Sequence, residues 1–404
     1  MRLLFLSASG GLGGAERVLL EAVAALRQLH RDWPLRVICL GDGPLAKDLD
    51  ARGAEVRVLP LPDRFAALGE SGRSAPSTVA ALAQSAWGLR RYARVLAGDL
   101  AAWRPDVVHA NGLKAHVLAA WVAPPRAAVV WHVHDYVGRR RVSSALLRRY
   151  AHRAASVIAN SHAIGADVRQ VLGDRVRVEV VANGIDTSRF TPEGTALDLD
   201  AVSGLPRPAH PALRIGLVAT YARWKGHETF LRSLAQLGDP RARGYVVGGP
   251  VYETAGSQHS REELEQLAAG LGLGDRVGFV PFQHDVAPVY RSLDVVVHAS
   301  TLPEPFGLSV VEAMACGRAV VASDAGGVRE IVEPGRTGLL HQPGDASDLA
   351  SRLRELASDE RLRARLGAAA ASAVRGPFGR DRFGAELAAA YERLRAPSAA
   401  AALA

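Results

Sequence analysis

Two glutamates, Glu304 and Glu312, bracket the run Pro305-Phe306-Gly307-Leu308-Ser309-Val310-Val311. A helix beginning near residues 306–309 would aim its free N–H groups at a ligand, which suits a diphosphate. Glu312, one to two turns into that helix, would be placed to accept from hydroxyls. Two unrelated surface glutamates would be the plain reading, but these flank Phe-Gly at a strand-to-helix junction. A second set of chemistry-bearing residues closes strands. In Trp131-His132-Val133-His134-Asp135, alternation puts His132 and His134 on one face at the carboxyl edge, where open sheets bind ligands. His109 and Asn111 end another strand in the same way. Two histidines without a third ligand make a poor metal site, and the two Asp-x-Asp strings (Asp48 with Asp50, Asp198 with Asp200) lie on a helix pattern and in an irregular stretch. No metal site is expected. The glycine loop Gly10-Gly11-Leu12-Gly13-Gly14 offers backbone N–H groups to an anion. It is not a dinucleotide fingerprint, because Glu16 stands where the third glycine is required.

The elements that must position these groups alternate along the chain. Short Val- and Leu-rich runs at 3–6, 35–40, 56–59, 107–109, 129–133, 156–159 and 178–181 read as buried parallel strands, with helical patterns between most of them. Residues 60–77 lose the pattern and read as a mobile loop before a helix around 78–104. Residues 187–212, with four prolines, read as a linker. The alternation then restarts at 213–219, 245–248, 277–280, 295–299, 319–323 and 338–341. This predicts two α/β domains, 1–186 and 187–379, followed by a helix over 381–394 and a frayed tail at 396–404. The helix carries the stripe Phe383, Leu387, Tyr391, Leu394, whose spacing suits docking along one face.

Composition limits the function classes. The 404 residues are 48% hydrophobic and 22% charged, which excludes a disordered chain and implies two or three domains. A net charge of +8, from 49 Lys+Arg against 41 Asp+Glu, is a mild bias toward anionic partners. No aromatic residues alternate with a basic strip, so nucleic acid is not an expected partner. Cys39 and Cys316 make no disulfide framework. No stretch approaches 18 uncharged apolar residues, and the run at 3–6 is too short for a signal peptide; a soluble cytoplasmic protein is expected.

Taken with their spacing, these motifs resemble retaining glycosyltransferases of family 4. Glu304 and Glu312 form the family's E-x7-E element. Gly-Gly-Ala-Glu at 13–16, His134-Asp135, Asn183-Gly184-Ile185-Asp186, Lys225-Gly226, Gly248-Gly249-Pro250 and Gly326-Gly327-Val328-Arg329-Glu330 follow in order. The resemblance covers about residues 1–395. It implies the GT-B fold: two Rossmann-like α/β domains facing a central cleft, with the C-terminal helix (380–395) crossing back to the N-terminal, acceptor-side domain. It also implies a nucleotide diphosphate sugar as co-substrate and no metal or other cofactor. One departure is plain. Aligned on Lys225, the family's Gly-Arg-Leu falls on Ala219-Thr220-Tyr221, which leaves Arg223 as the candidate phosphate clamp.

The resemblance assigns Glu312 to the nucleotide ribose and Glu304 to the donor-sugar hydroxyls. His134 would face the donor sugar, and Gly13 and Gly14 the diphosphate or acceptor. Lys225, Arg223 and the backbone at Phe306, Gly307, Leu308 and Ser309 would stabilise the leaving diphosphate. Retention usually needs a carboxylate nucleophile. None is evident, and the family instead implies front-face substitution, favouring a UDP-sugar donor with GDP-mannose next. The rivals are a GT-B sugar-nucleotide epimerase, which would turn over without acceptor, and a non-catalytic sugar-nucleotide-binding protein. A glycogen-phosphorylase-like enzyme would need a pyridoxal phosphate lysine, and the chain has only Lys47, Lys114 and Lys225. Arg139, Arg140, Arg141, Arg148, Arg149 and Arg153 form a basic stretch. Its plain reading is a solvated face; its functional reading is peripheral contact with the inner membrane surface for a sugar, lipid-linked or small-molecule acceptor.

Overall fold

The Val- and Leu-rich runs form two parallel sheets, each continuous with its own helices. The computed structural model describes residues 1–62, 65, 75–250 and 256–395, with side chains left out for 75–86. In the first sheet, β1 (Leu3–Ser7), β2 (Leu35–Cys39), β3 (Glu55–Val58), β4 (Val107–Asn111), β5 (Ala128–Val133), β6 (Ser156–Ala159) and β7 (Val178–Val180) lie in the order β3-β2-β1-β4-β5-β6-β7. In the second, β8 (Leu213–Val218), β9 (Ala242–Val247), β10 (Val277–Val280), β11 (Val295–His298), β12 (Ala319–Ser323) and β13 (Leu339–His341) lie in the order β10-β9-β8-β11-β12-β13. Both are doubly wound, so the chain holds two Rossmann-like α/β units.

Each sheet reverses its winding at one place, between β1 and β4 in the first and between β8 and β11 in the second. At such a switch the loops leaving the two strands run to opposite faces and leave a crevice at the carboxyl ends. The glycine loop and Asn111 stand at the first switch. Residues 219–225 and 299–304 stand at the second.

Two compact units result, Met1–Gly184 with Arg380–Ala404, and Ile185–Gly379. The first buries Leu4, Leu6, Ile38, Val108, Trp131 and Val157 between its sheet and helices. The second buries Ile215, Leu217, Val246, Val297, Val321 and Leu353. The chain passes from one unit to the other after Gly184 and returns after Gly379. The helix Arg380–Arg395 lies against the helix Gly14–Leu29, with Phe383, Leu387 and Tyr391 fully buried. Arg382 donates to the Ala182 carbonyl at 2.7 Å, and Tyr391 Oη lies 2.8 Å from His109 Nδ1.

The reading of residues 187–212 as a linker is corrected. Asp198 caps the short helix Leu199–Ser203, whose Asp200 is buried beneath Arg214, Arg243 and Tyr245 at 3.0, 2.8 and 2.6 Å. Ser292 and Arg291 hold the preceding stretch through Leu197 and Thr191. Proline and polar residues hid a segment that belongs to the second unit, because its packing is carried by a buried ion cluster rather than by an apolar period. Of the loop read at 60–77, residues 63, 64 and 66–74 lie outside the described residues, as does the tail at 396–404; the helix over 78–104 begins at Ala75.

Candidate functional site

In the second unit, Lys225 closes a 3-10 turn, Arg223–Lys225, and Gly226 follows at φ 76. A Cβ on Gly226 would stand 1.9 Å from the Ala299 carbonyl oxygen, so only glycine lets this turn lie against the end of β11. Thr301 N–H donates to the Trp224 carbonyl at 2.8 Å and completes the junction. That approach delivers Lys225 Nζ to both carboxylate oxygens of Glu304, at 2.9 Å each. Ser300 Oγ donates to the same carboxylate at 2.9 Å, and His298 Nε2 lies 3.1 Å from it. A carboxylate only accepts, so His298 carries its proton on Nε2. The ammonium also lies 4.0 Å from the centre of the Trp224 ring. Burial alone would raise the Glu304 pKa. The Lys225 charge and the hydrogen bonds from His298 and Lys225 outweigh it, holding the carboxyl well below its ordinary range.

The turn after Glu304 opens the helix Leu308–Ala315, with Gly307 at its N-cap and no side chain capping it. The first-turn N–H groups are therefore not met by a capping side chain. Gly327 N–H donates to the Glu304 carbonyl at 2.8 Å and braces the turn from the other side. Glu312 lies inside the helix, 8% exposed, and accepts from the buried Tyr290 hydroxyl at 2.8 Å. Arg223 is not gathered to Lys225 and Glu304. It pairs with Glu263 at 3.1 Å, donates to the Gly256 carbonyl at 3.1 Å, and lies 3.1 Å from His259 Nδ1.

The first unit holds a different cluster. His132 is buried at the end of β5, and its ring lies 4.0 Å from that of His134 and 5.1 Å from that of His109. His116 adds a fourth ring, its Nε2 2.9 Å from the His132 carbonyl. Burial and then the neighbouring rings lower His109 and His134 to about 3 and His132 well below its usual value; burial lowers His116 to about 4 against backbone hydrogen bonds that oppose it. These histidines are neutral. Asn111 Oδ1 lies 2.5 Å from His134 Nε2, and its Nδ2 donates to the Ala15 carbonyl at 3.2 Å. The glycine loop is partly explained by the chain itself: a Cβ on Gly10 would meet Gly41 and Asp42 carbonyl oxygens at 2.4 Å. Gly13 caps the helix Gly14–Leu29 with no side-chain hydrogen bond. Among the described residues no group of three or more His, Cys, Asp or Glu is arranged to hold a metal ion.

The basic stretch is only partly a solvated face. Arg148 donates to the Val171 carbonyl, and Arg153 to those of Ala120 and Ala123. Arg139 stacks on Tyr136. No described helix is long and apolar enough to cross a membrane.

The structure thus joins Lys225 with Glu304, sets Glu312 in the adjoining helix, and ties His134 to the loop carrying Gly13 and Gly14. Sequence reasoning missed His298, Ser300, Trp224 and Tyr290. For the first two a signal was present: His298-Ala299-Ser300 ends a strand with the same alternation as His109-Ala110-Asn111.

Comparison with known proteins agrees with this architecture. Residues 209–373 match the family described as "Glycosyl transferases group 1", and residues 12–189 match "Glycosyltransferase Family 4". A D-inositol 3-phosphate glycosyltransferase of Streptomyces bingchenggensis is 33% identical over 321 residues, covering 72% of this chain and 68% of that protein. The protein of the same name from Thermomonospora curvata is 36% identical over 228 residues, 54% of this chain and about half (52%) of its own length. Among solved structures, Anabaena HepE in complex with UDP and glucose superposes with a TM-score of 0.79 at 28% identity, covering 97% of this chain and 99% of that one. The sucrose-phosphate synthase of Thermosynechococcus elongatus, at 22% identity and a TM-score of 0.77 over 98% of this chain and 100% of its own, shares the fold. The chain belongs to glycosyltransferase family 4 and is a glycosyltransferase.

Proposed function

We propose that the protein moves a hexosyl unit from a nucleotide diphosphate sugar, a UDP-sugar before GDP-mannose, to an acceptor hydroxyl with retention and without metal. The observation that carries this reading is the Lys225–Glu304 pair beside the open N-terminus of the helix Leu308–Ala315. An ammonium has three donors. Two are committed to Glu304, and the third serves a phosphate oxygen whose negative charge grows as the glycosyl bond breaks. Stabilisation that strengthens toward the transition state is what accelerates the step. Glu312, oriented by Tyr290, accepts from the ribose hydroxyls, and Glu304 from those of the donor sugar. Arg223 would reach the diphosphate by leaving Glu263. The acceptor oxygen bonds to the anomeric carbon from the face that the phosphate leaves, and its proton passes to the departing phosphate oxygen. His134 and Gly13-Gly14 serve the sugar and acceptor side. The complexes of Anabaena HepE with UDP and UDP-glucose support a UDP-sugar.

The names of the relatives support a phosphorylated cyclitol or sugar as acceptor. A peripheral membrane contact rests on Arg141 and Arg149, since Arg148 and Arg153 are bonded to the chain's own carbonyls. A cytoplasmic location fits such substrates. Calorimetry with UDP-glucose, UDP-N-acetylglucosamine and GDP-mannose, followed by UDP release with and without D-inositol 3-phosphate, tests the reading. Tight binding of GDP-mannose alone would overturn the donor. UDP-sugar turnover without any acceptor would favour an epimerase. Loss of activity with EDTA, restored by Mg²⁺, would end the metal-free mechanism.

A further inference from the structure

His134 is neutral, so it exists as one of two tautomers, and these offer opposite groups to a ligand. Its neighbours decide between them. Asn111 closes β4, 2% exposed, in register with Ser7 of β1 and His132 of β5. One end of its side-chain amide faces the Ala15 carbonyl at 3.2 Å and the other faces His134 Nε2 at 2.5 Å. A carbonyl oxygen only accepts, so the end beside Ala15 must be the NH2. Turning the amide over would set its oxygen against the Ala15 carbonyl oxygen, two acceptors with no proton between them. The end beside His134 is therefore an oxygen, which also only accepts. The proton must sit on Nε2 of His134. Nδ1 is then a bare lone pair, and no described residue donates to it.

We propose that Asn111 is a positioning residue that fixes His134 as its Nε2–H tautomer and leaves Nδ1 to accept a hydrogen bond from a substrate hydroxyl. The second half of this statement rests on His134 facing substrate, as in the proposed function; the first half does not. The same amide couples the histidine to the first turn of the helix Gly14–Leu29, so the glycine loop and the ring are set by one side chain. The specificity that follows is for a hydroxyl, which donates, over a deoxy or O-methyl sugar at the same carbon.

Long-range proton–nitrogen spectra of the histidine-labelled protein read the tautomer directly, with the His134 signal assigned through His134→Ala. The expected result is a protonated Nε2 and a bare Nδ1; a protonated Nδ1 overturns the proposal. Asn111→Leu should release the ring to exchange between tautomers and lower kcat/KM for UDP-glucose by about tenfold, the scale met when the partner orienting a metal-bound histidine is removed. Asn111→Asp gives up the bond to the Ala15 carbonyl but still presents an accepting oxygen to Nε2, so it should keep Nε2 protonated and retain more activity than Asn111→Leu. Equal losses in the two variants with the tautomer unchanged would mark Asn111 as structural only. If Asn111→Leu does not fold, the wild-type and Asn111→Asp spectra still decide. Full turnover in His134→Ala would remove the substrate half while leaving the tautomer assignment standing.

Discussion

The two units use the same doubly wound sheet and place polar residues at the same topological position, yet they fill it with opposite electrostatics. Beside the first switch lie four neutral histidines, His109 on β4, His132 and His134 at the end of β5 and His116 on the helix Leu113–Val122, with the Asn111 amide at the switch itself. At the second lie an ammonium, a carboxylate and a hydroxyl in direct contact, with Asp200 holding two arginines at the far end of the same sheet. The scaffold fixes where a ligand sits. The side chains decide whether that ligand is met by charge or by directional hydrogen bonds. A diphosphate needs charge, and a sugar hydroxyl needs a donor or acceptor of defined direction.

The largest expected effect breaks the charged side of this contrast. Lys225→Ala should lower turnover by about 10²–10³, the range seen when one preorganised donor to a developing anion is lost. Donor affinity should fall much less. Steady-state kinetics with UDP-glucose check it: a raised KM at unchanged kcat would mean that Lys225 binds ground state and transition state alike. The next effect concerns stability. Asp200→Ala should leave Arg214 and Arg243 without their shared partner and cost about 3 kcal/mol, as when one member of a buried pair is removed. Urea melts give the number. A change near zero would show that the cluster contributes nothing to the second unit. Glu312→Ala should weaken donor binding by about 1.5–3 kcal/mol, because a hydrogen bond to a charged group is lost while the fold stays intact. Unchanged affinity in calorimetry would remove Glu312 from the site.

The sequence made much of this readable, unevenly. Continuous Val-Leu runs announced the strands, and E-x7-E with Lys225-Gly226 announced the family. Residues whose role depends on a distant partner were not readable. Tyr290 orients Glu312 across 22 positions, and nothing in Ala287–Arg291 distinguishes it from a core tyrosine. Asp200 reads as part of a chance Asp-x-Asp string, and its structural role stays hidden because its arginines, 14 and 43 residues away, are invisible to a local pattern. Arg223 is the clamp candidate that the resemblance leaves once the family's Gly-Arg-Leu falls on Ala219-Thr220-Tyr221. Its pairing with Glu263 could not be read without knowing that residues 256–263 fold back over it.

The smallest effect per step, and the one that separates the units, is acid. Each histidine of the first cluster has a folded pKa below the ordinary 6.5, to about 3 for His109 and His134 and about 4 for His116. Below pH 6.5 the unfolded chain takes up protons that the folded chain refuses, so unfolding becomes easier as pH falls. Their contribution is complete above about 6.5 and is lost progressively down to the folded values. The slope is about 1 kcal/mol per pH unit for each such histidine. The charged cluster of the second unit behaves differently. Glu304 and Asp200 have lowered pKa values, so they stabilise above the ordinary carboxylate range and keep doing so until far lower pH. The second unit has buried histidines too, and His227, His259 and His341 are all lowered by burial, but no four of them share one cluster. Between pH 7 and pH 5 the amides of β4 and β5 should therefore lose more hydrogen-exchange protection, corrected for intrinsic exchange, than those of β11 and β12. Earlier opening of β11 and β12 would mean that the ionic strand ends, not the neutral ones, are the acid-sensitive half of the molecule.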